Sequence, residues 1–389
     1  MRRAAIVAAA RTPIGRSRKG RLATVDAWSL ARTAVSAVID RSGIDGADIE
    51  DIVLAESMQG GGVIARHTAV SLGLNHVPGL AVNRHCAGGL GAVQTAVASI
   101  LAGAMDVTVA GGTESMSTMA RSLKAGADGS WNPWAPMSHP ETPEAPAFDM
   151  SITVGENTAR LAGLTRRDVD EWAAYSHGRA IATIDAGHFA DEIVSVKVPS
   201  ESGGEEDYTT DEHPRRGVTV DTLAQLPVIH PELDNATVTA GNAAGVNDAA
   251  AALVITSEDY ANAHGLTPLG FVRAWGTVGV DPVETGLAPI GAIERALGKA
   301  QLAVGDIDAW EINEAFCSVP VAVTRKLGID SNIVNVNGSG CSLGHPIAAT
   351  GARMVVTMLG ELARRNGSLG VVSMCAGGGM GSALILERI

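Results

Sequence analysis

The chain has 389 residues, of which 46% are hydrophobic and 18% are charged, and its formal net charge is −13. This length and composition predict a compact globular protein with one large hydrophobic core or two ordinary ones. The acidic balance argues against a general nucleic-acid-binding protein, although a local basic patch remains compatible with an anionic substrate. We expect no membrane helix, because the sequence lacks a run of roughly 18 to 20 uninterrupted apolar residues.

The N-terminal residues have two interpretations. Arg2 and Arg3 precede an apolar run over residues 4–10, which resembles the start of a secretory signal. The run is short and ends at Arg11 instead of a cleavable polar region. We therefore expect a first core strand that enters a turn at residues 11–15, with export as the alternative.

The four cysteines are widely separated, and their spacing matches neither a disulfide scaffold nor a zinc site. They are Cys86, Cys317, Cys341 and Cys375. We expect free thiols in a reducing compartment and therefore a cytoplasmic protein.

An internal repeat relates the first third of the chain to its last third. Residues 47–57 and 305–315 each read as an acidic lead-in, an apolar strand and a polar end. A second short strand, a glycine-rich helical segment and a buried strand that runs into glycines follow in both copies. The later paired segments are 79–83 with 332–337, and 106–112 with 370–378.

Strands that alternate with helical stretches predict an α/β protein with parallel sheets and helices on their faces. The repeat predicts that two such halves form a pseudo-dimer. We assign residues 1–119 and 241–267 to the N-terminal half and residues 268–389 to the C-terminal half. Residues 120–240 are more polar and richer in proline, so we expect an inserted loop domain that carries substrate contacts. Within it, residues 165–187 read as a helix.

Two of the cysteines begin the repeated tetrapeptide Cys-Ala-Gly-Gly, at residues 86–89 and 375–378. Cys86 lies between a predicted strand and a helix of small residues, at a strand-to-helix turn. A helix N-terminus lowers the pKa of a thiol, so we expect a nucleophilic thiolate. The alternative is a small buried side chain beside glycines that only allow close helix packing.

Three residues of the second half are candidates to act with Cys86. Cys375 ends a predicted buried strand, and the glycines after it either form an oxyanion hole or a tight structural turn. His345 precedes Pro346, which can begin a helix, so we expect either a neutral imidazole that accepts a proton or a structural histidine. Asn313 follows a strand and either donates to an oxyanion or closes a loop. If the halves pack about a pseudo-dyad, these residues meet and suit acyl transfer through a thioester.

The sequence resembles the thiolase family over nearly its whole length and is most similar to the acetyl-CoA acetyltransferase branch. The resemblance implies duplicated βαβαβαββ halves, a five-layered α-β-α-β-α core and an inserted loop domain. It also implies reversible cleavage of 3-ketoacyl-CoA by CoA, or condensation of acyl-CoA with acetyl-CoA, through an acyl-cysteine in a ping-pong mechanism. The motifs that carry it include AARTPIGR at 9–16, VNRHCAGGL at 82–90, GGTESMS at 111–117, INEAF at 312–316, VNVNGSGCSLGHPIAATGAR at 334–353 and CAGGGMG at 375–381.

The resemblance also implies roles for the candidate residues. Cys86 would be the acylated nucleophile, His345 its base, and Cys375 the acid or base at the α-carbon of the acetyl group. His345 and a water held by Asn313 would form one oxyanion hole, and the N–H groups of Cys86 and Gly377 the other. No metal or redox cofactor is expected, because the thioester stabilises the carbanion and the oxyanion holes supply the electrostatics.

Coenzyme A and acyl-CoA are expected as substrates, bound largely by the loop domain. The resemblance places Arg215 near the adenosine phosphates, the 240–244 turn near the pantetheine, and Met150 and Phe316 at the thioester. It further implies a homodimer or homotetramer in lipid and fatty acid metabolism, with no nucleic-acid or membrane partner. The residues expected to contact CoA are Met150, Arg215, Thr222, Ala240, Ala243, Ala244, Ala315 and Phe316.

The sequence departs from the family pattern near the expected acyl site. Ala244 stands where many relatives have serine, and Asp149 stands where histidine is frequent. Residues 148–157 carry one residue more than usual, and residues 131–146 form an unusual loop rich in proline and tryptophan. These departures leave the length of the acyl chain open.

Two other functions remain as alternatives. A condensing enzyme of the ketoacyl synthase type generally uses Cys-His-His, whereas Asn313 and Cys375 favour a thiolase. A non-catalytic acyl-CoA or sterol carrier of the same fold would be indicated by loss of Cys86 or His345, and both are present.

Overall fold

The computed structural model describes residues 2–200 and 202–389. Its strands are β1 (Ala4–Arg11), β2 (Gly15–Arg16), β3 (Asp51–Ala55), β4 (Leu80–Val82), β5 (Val107–Ser115), β6 (Ser122–Ala125), β7 (Trp131–Trp134), β8 (Val196–Pro199), β9 (Glu205–Tyr208), β10 (Asn247–Ser257), β11 (Gly270–Gly279), β12 (Ala309–Ile312), β13 (Leu369–Ala376) and β14 (Met380–Glu387).

The helices alternate with these strands. They are α1 (Ala27–Ser42), α2 (Ile64–Ser71), α3 (Gly88–Leu101), α4 (Asn157–Leu161), α5 (Arg166–Asp185), α6 (Val220–Ala224), α7 (Glu258–Ala263), α8 (Ala288–Ala300), α9 (Ser318–Leu327), α10 (Gly340–Leu343) and α11 (Thr350–Arg365). Shorter 3₁₀ turns cover Gly46–Asp48, Pro282–Leu287, Val304–Asp306 and Ser331–Ile333, and a π-helical turn covers Ser151–Glu156.

Local signals in the sequence explain where the longer helices begin and end. The Asp26 side chain accepts a hydrogen bond from the Ser29 N–H and caps α1, which ends at Gly43 in a left-handed conformation. Thr165 and Asp168 form a capping box at the start of α5, so the helix predicted over residues 165–187 is confirmed. The predicted first strand is also confirmed, as β1.

In the described part of the chain, ten strands form one mixed sheet. Its order is β12-β13-β14-β11-β1-β10-β5-β3-β4, and β2 pairs with β10. Strands β1 and β11 pair through Ala5 with Phe271 and Ile6 with Gly270, which joins two lobes of the sheet at a narrow corner. The first lobe contains β1, β10, β5, β3 and β4, and the second contains β11, β14, β13 and β12.

The expected parallel pairing is present in each lobe, but most strand pairs of the sheet are antiparallel. Only β3 with β4, β3 with β5 and β12 with β13 run parallel among the described strands. Strand β13 reaches β14 through a short glycine turn, and so short a connection forces antiparallel pairing. All residues of β5 and β10 are buried, as expected for strands covered by helices on both faces.

The internal repeat is present in the fold. A 3₁₀ turn precedes β3 in the first half and β12 in the second. Strand β4 pairs with β3, and at the corresponding place Val334 forms an isolated parallel bridge with Trp310. Strands β5 and β13 follow in the same order, so the two lobes have the same local plan.

The helices and the two lobes form five layers, as the resemblance implies. Helices α1 and α2 cover the outer face of the first lobe, and α8 and α9 cover the outer face of the second. Helices α3 and α11 pack against each other between the lobes. A Cβ added at Gly351 of α11 would lie 2.4 Å from the backbone nitrogen of Leu90 in α3, so the crossing requires glycine.

Residues 120–240 contain two small hairpins, β6-β7 and β8-β9, together with the π-helical turn and α4 to α6. Trp131 of the first hairpin is 68% exposed, which is unusual for so large an apolar side chain. The domain limits stated above stay a prediction. Among residues 2–200 and 202–389, no helix combines the length and the apolarity that crossing a membrane requires.

Candidate active site

Cys86 lies in the turn between β4 and α3, two residues before the helix begins. The preceding residue, His85, has a φ of 44°, which turns the chain from the strand into the helix. Cys86 as a residue is half-buried, and its sulfur accepts a hydrogen bond from the backbone N–H of Gly377. The two Cys-Ala-Gly-Gly segments, far apart in sequence, therefore meet in the fold.

Burial raises the pKa of the Cys86 thiol to about 11. Hydrogen bonds from the N–H groups of Gly377 and Cys86 favour the thiolate, and the nearby Glu114 carboxylate disfavours it. The expectation of a lowered pKa is therefore wrong. The loss of hydration of the thiolate outweighs the effect of the helix N-terminus.

Cys375 is buried in β13, next to the last residue of that strand. Burial raises its pKa well above the usual range, and the neighbouring Cys86 raises it further. Gly378 and Gly379 then reverse the chain with φ angles of 87° and 75°. A side chain at Gly377 would face Met150 and Ser138, whose sulfur and hydroxyl oxygen would lie 3.7 Å and 3.6 Å from its Cβ.

His345 is buried, and one hydrogen bond sets the orientation of its ring. Its Nδ1 lies 2.7 Å from the Thr350 hydroxyl, which in turn donates to the Pro346 carbonyl at 2.7 Å. Because the hydroxyl has a single proton, Nδ1 must be the donor to Thr350. The proton therefore resides on Nδ1, and Nε2 carries the basic lone pair.

Burial lowers the pKa of His345 to about 4, with a smaller effect from Arg353. The imidazole is thus neutral at pH 7, as expected from the sequence, but the cause differs. Helix α11 begins at Thr350 and not at Pro346, so burial acts where a helix N-terminus was expected.

Asn313 follows β12, where its N–H donates to the Ser373 carbonyl at 2.9 Å. Its side-chain oxygen and nitrogen are buried, and neither has a hydrogen-bond partner among the described residues. The same is true of His345 Nε2. Buried polar atoms without partners are costly and are typical of sites that bind a ligand or an ordered water.

The loop after His345 is attached to the chain after β3 through Glu114, which the sequence reasoning missed. The Ala348 N–H donates to one carboxylate oxygen of Glu114 at 3.1 Å. The other oxygen accepts from the Met58 N–H at 3.1 Å and from the Gln59 amide. Glu114 and Thr350 stand in the GGTESMS and GHPIAAT segments, and polar residues within glycine-rich motifs are the signal that points to them.

A second buried carboxylate, Glu314, holds the turn that carries Asn313. It connects β12 to α5, to the chain before α10 and to α10 itself, so it fixes the place where Asn313 leaves the sheet. Its partners are Trp172 Nε1 at 2.8 Å, Ser176 Oγ at 2.6 Å, Asn335 Nδ2 at 2.7 Å and the Cys341 N–H at 3.1 Å.

The residues expected to contact CoA fall into two groups. Ala243 bridges to Phe316, and the Ala244 N–H donates to the Ala315 carbonyl at 3.0 Å, so these residues form one wall beside Asn313. Met150 lies at Gly377, as described above. Three others are exposed, and none of the described hydrogen bonds joins them to Cys86, His345 or Cys375. They are Arg215, Thr222 and Ala240.

Ser151–Glu156, within the segment expected to carry one residue more than the family pattern, form a π-helical turn. The hydrogen bonds of a π-helix join residues five apart instead of four, so such a turn accommodates one additional residue locally. Asp149 caps this turn by accepting from the Ser151 N–H at 3.0 Å, and its carboxylate lies 3.4 Å from His230 Nε2.

Comparison with known proteins gives a consistent result over the whole chain. Two family models match it, "Thiolase, N-terminal domain" over residues 4–259 and "Thiolase, C-terminal domain" over residues 266–388. An acetyl-CoA acetyltransferase of Cupriavidus necator is 39% identical over 98% of this chain and 98% of its own. A 3-ketoacyl-CoA thiolase of Bacillus subtilis is 38% identical over 100% of both chains.

The fold gives the same result. The crystal structure of human mitochondrial 3-ketoacyl-CoA thiolase superposes with a TM-score of 0.90 at 32% identity. The superposition covers 100% of this chain and 99% of the human chain. With both family models covering the two parts of the sequence, the chain belongs to the thiolase family.

Proposed function

We propose that the chain catalyses the reversible thiolysis of 3-ketoacyl-CoA by coenzyme A, and in reverse the condensation of acyl-CoA with acetyl-CoA. One observation supports this most directly: two cysteines and the Gly377 N–H converge on one point. Nearby segments supply a neutral histidine and an asparagine with unpartnered polar atoms. This set offers a nucleophile, a base, an acid and oxyanion donors for acyl transfer.

In the degradative direction, the Cys86 sulfur attacks the 3-keto carbon and its proton passes to His345 Nε2. Collapse of the tetrahedral adduct breaks the bond between the α- and β-carbons and leaves an acyl thioester on Cys86. Cys375 gives its proton to the departing acetyl-CoA carbanion. The thiol of a second CoA then gives its proton to Cys375 and attacks the acyl-enzyme. The released Cys86 sulfur recovers its proton from His345.

The pKa values restrict when the first proton moves. With a thiol pKa of about 11 and an imidazole pKa of about 4, both groups are neutral at pH 7. Proton transfer before substrate binding is therefore unfavourable. We infer that the transfer accompanies formation of the carbon–sulfur bond, when the oxyanion receives the Gly377 N–H and the other donors.

The substrate contacts are also proposals. The wall formed by Ala243, Ala244 and Phe316 suits the pantetheine, whose narrow arm alternates short hydrocarbon segments with amides. Arg215 is exposed and carries the positive charge that the CoA phosphates require. We assign Met150 to the thioester end, because a side chain at Gly377 would meet its sulfur. Thr222, Ala240 and Ala315 complete the proposed CoA-binding set.

Assembly, location and cofactor use remain proposals as well. We propose a homodimer or homotetramer, supported by the exposed edge strand β4 with Leu80 at 41% exposure and by the exposed tryptophans of the β6-β7 hairpin. The four free thiols support a reducing, cytoplasmic environment. The proposed substrates support a role in lipid and fatty acid metabolism. No metal or redox cofactor is required, because the thioester itself stabilises the carbanion.

Thiolysis of acetoacetyl-CoA with coenzyme A, together with mass analysis of the Cys86 peptide, tests this function. We expect acetyl-CoA as the product and an acetyl group on Cys86. The variant Cys86→Ser should lose the adduct and at least about 1,000-fold in turnover, with CoA affinity nearly unchanged. Cys317→Ser serves as the matched control, because it removes another buried thiol. Acyl transfer by Cys86→Ser at the wild-type rate would exclude the assigned nucleophile.

A further inference from the structure

A serine and a histidine from the unusual loop of residues 131–146 lie beside the reacting cysteines. The Ser138 hydroxyl oxygen would be 3.6 Å from a Cβ at Gly377, and the Met150 sulfur would be 3.7 Å from the same atom. The Gly377 N–H in turn donates to the Cys86 sulfur. Ser138 therefore lies at the end of the site where the thioester is proposed to react.

Two further contacts hold this loop against the site. A Cβ at Gly378 would be 2.7 Å from the Ser138 carbonyl oxygen, so the loop backbone packs directly on the glycine turn. On the other side, His139 lies near His85, the residue before Cys86. Burial lowers the pKa of His85, and the neighbouring His139 lowers it further. The loop therefore lies beside both Cys-Ala-Gly-Gly turns.

Hydrogen bonds determine where the proton of the Ser138 hydroxyl points. His139 is buried, and its Nε2 lies 3.0 Å from the Ala145 carbonyl oxygen. A carbonyl oxygen only accepts, so Nε2 carries a ring proton. Both described partners of the ring are uncharged, and burial without a counter-charge favours the neutral imidazole. Nδ1, which lies 2.8 Å from the Ser138 hydroxyl oxygen, is therefore the acceptor of the hydroxyl proton.

The Ser138 hydroxyl oxygen is left with lone pairs only. Its single proton is held by His139. Ser138 as a residue is half-buried, and no other described group binds the remaining lone pairs of this oxygen. Such an oxygen binds a group that donates a hydrogen bond, and it offers nothing to an alkyl group or to an oxygen that only accepts.

The distances fit a hydroxyl group on the carbon next to the thioester carbonyl. The nitrogen and the Cβ of one residue are about 2.5 Å apart, so the Ser138 hydroxyl oxygen is at most about 6 Å from the Gly377 nitrogen. A carbonyl oxygen bound to the Gly377 N–H and a hydroxyl group bound to Ser138 each form a hydrogen bond of about 2.9 Å. In a 2-hydroxyacyl thioester these two oxygens are on adjacent carbons, so the group spans the distance.

We propose that Ser138, oriented by His139, is a specificity-determining residue that favours short 2-hydroxyacyl groups on Cys86 over alkyl groups of the same size. The inference rests on the proposed thiolase activity. When glycolyl-CoA reacts, the bond from its carbonyl carbon to the CoA sulfur breaks, a bond to the Cys86 sulfur forms, and the Cys86 proton passes to the departing CoA. The 2-hydroxyl group then donates to Ser138 while the carbonyl oxygen accepts from the Gly377 N–H. His139 is a positioning residue, because it acts only through Ser138.

The test is acyl exchange between an acyl-CoA and isotopically labelled CoA, which requires only acylation of Cys86 and its reversal. Glycolyl-CoA has a hydroxyl group where propionyl-CoA has a methyl group, so the ratio of their kcat/KM values, compared between variants, isolates the contact of the hydroxyl group. We expect Ser138→Ala to lower this ratio about three- to tenfold, as the loss of one hydrogen bond predicts. Ser130→Ala is the matched control. It removes a hydroxyl that binds Asp128 in the turn between β6 and β7, and it should keep the wild-type ratio.

A second pair of substrates tests the direction of the hydrogen bond. The ether oxygen of methoxyacetyl-CoA only accepts, and butyryl-CoA carries the alkyl group of the same size. We expect Ser138→Ala to leave the ratio of these two kcat/KM values unchanged, because His139 holds the Ser138 proton. A fall as large as the one for glycolyl-CoA would refute this orientation and the positioning role of His139.

The outcomes separate this inference from the proposed function. If acetyl-CoA exchanges, an unchanged ratio of glycolyl to propionyl exchange in Ser138→Ala, or an equal change in Ser130→Ala, would refute the role of Ser138 alone. Absence of exchange for every acyl-CoA would refute the proposed function. In that case the affinities of Cys86→Ala for glycolyl-CoA and propionyl-CoA still decide the role of Ser138. A ratio of affinities that an added Ser138→Ala change does not lower would refute it.

Discussion

Adding one methyl group at Gly351 is expected to separate α3 from α11 and to weaken both folding and catalysis. The Cβ of Gly351→Ala would lie 2.4 Å from the Leu90 nitrogen, about 1 Å closer than the 3.4 Å at which ordinary contact begins. The obstacle is backbone, so a rotamer change does not relieve it. The helices must move apart by a distance of this order.

The expected magnitudes follow from that displacement. Overpacking of a core costs about 1 to 3 kcal/mol, which is a large part of the free energy of unfolding of most domains. His345 lies six residues before Gly351 on the same connected segment, and Cys86 lies just before α3. Because a displacement of about 1 Å in a reacting pair can cost about 100-fold in rate, we expect kcat/KM to fall by roughly that factor.

Urea unfolding and thiolysis kinetics measure the two effects, and Gly360→Ala is the matched control on the same helix. Its Cβ would meet only the free end of Arg364, at 3.2 Å. Gly360→Ala should therefore gain about 0.5 to 1 kcal/mol of helix stability and keep wild-type turnover. Equal behaviour of the two variants, or wild-type stability and turnover in Gly351→Ala, would refute the argument from close helix packing.

Two further predictions concern the proton-transfer groups. The rate of Cys86 alkylation by iodoacetamide can be followed by the mass of the modified peptide. This rate should rise about tenfold per pH unit from pH 7 to 9. The thiol pKa is raised to about 11, so the thiolate fraction increases throughout this pH range. A rate that is already constant by pH 8 would indicate a thiolate at neutral pH and would contradict the raised pKa. Thr350→Val should lower kcat by about 10- to 100-fold, because the His345 ring loses the hydroxyl acceptor that keeps its proton on Nδ1. Thr350→Ser keeps this hydroxyl and should retain most activity. Equal losses in both variants would contradict the role of the hydroxyl.

The elements around the site could be predicted from the sequence because their signals are local. Apolar runs followed by glycines indicate the strand-to-helix turn at Cys86 and the strand that ends near Cys375. The place of Asn313 after β12 follows from the repeat. The motifs that resemble thiolases then bring these segments into one site.

Features that depend on distant partners could not be predicted in this way. The direction of β10 in the sheet depends on its pairing with β1 and β5, which no local pattern specifies. The raised pKa of Cys86 depends on how tightly other segments exclude water from the sulfur. The cavity lined by Met58, Trp134 and Phe148 forms where the chain after β3 comes close to the chain near Phe148. Neither segment alone indicates a cavity.

The π-helical turn Ser151–Glu156 has a consequence for how this segment tolerates an added residue. One extra residue in an ordinary α-helix would rotate everything after it by about 100°. At the end of the π-helical turn, the Glu156 carboxylate accepts hydrogen bonds from the Thr237 N–H at 2.9 Å and from the Val238 N–H at 2.8 Å. The wider turn therefore accommodates an added residue while the contacts of Glu156 with Thr237 and Val238 keep their register.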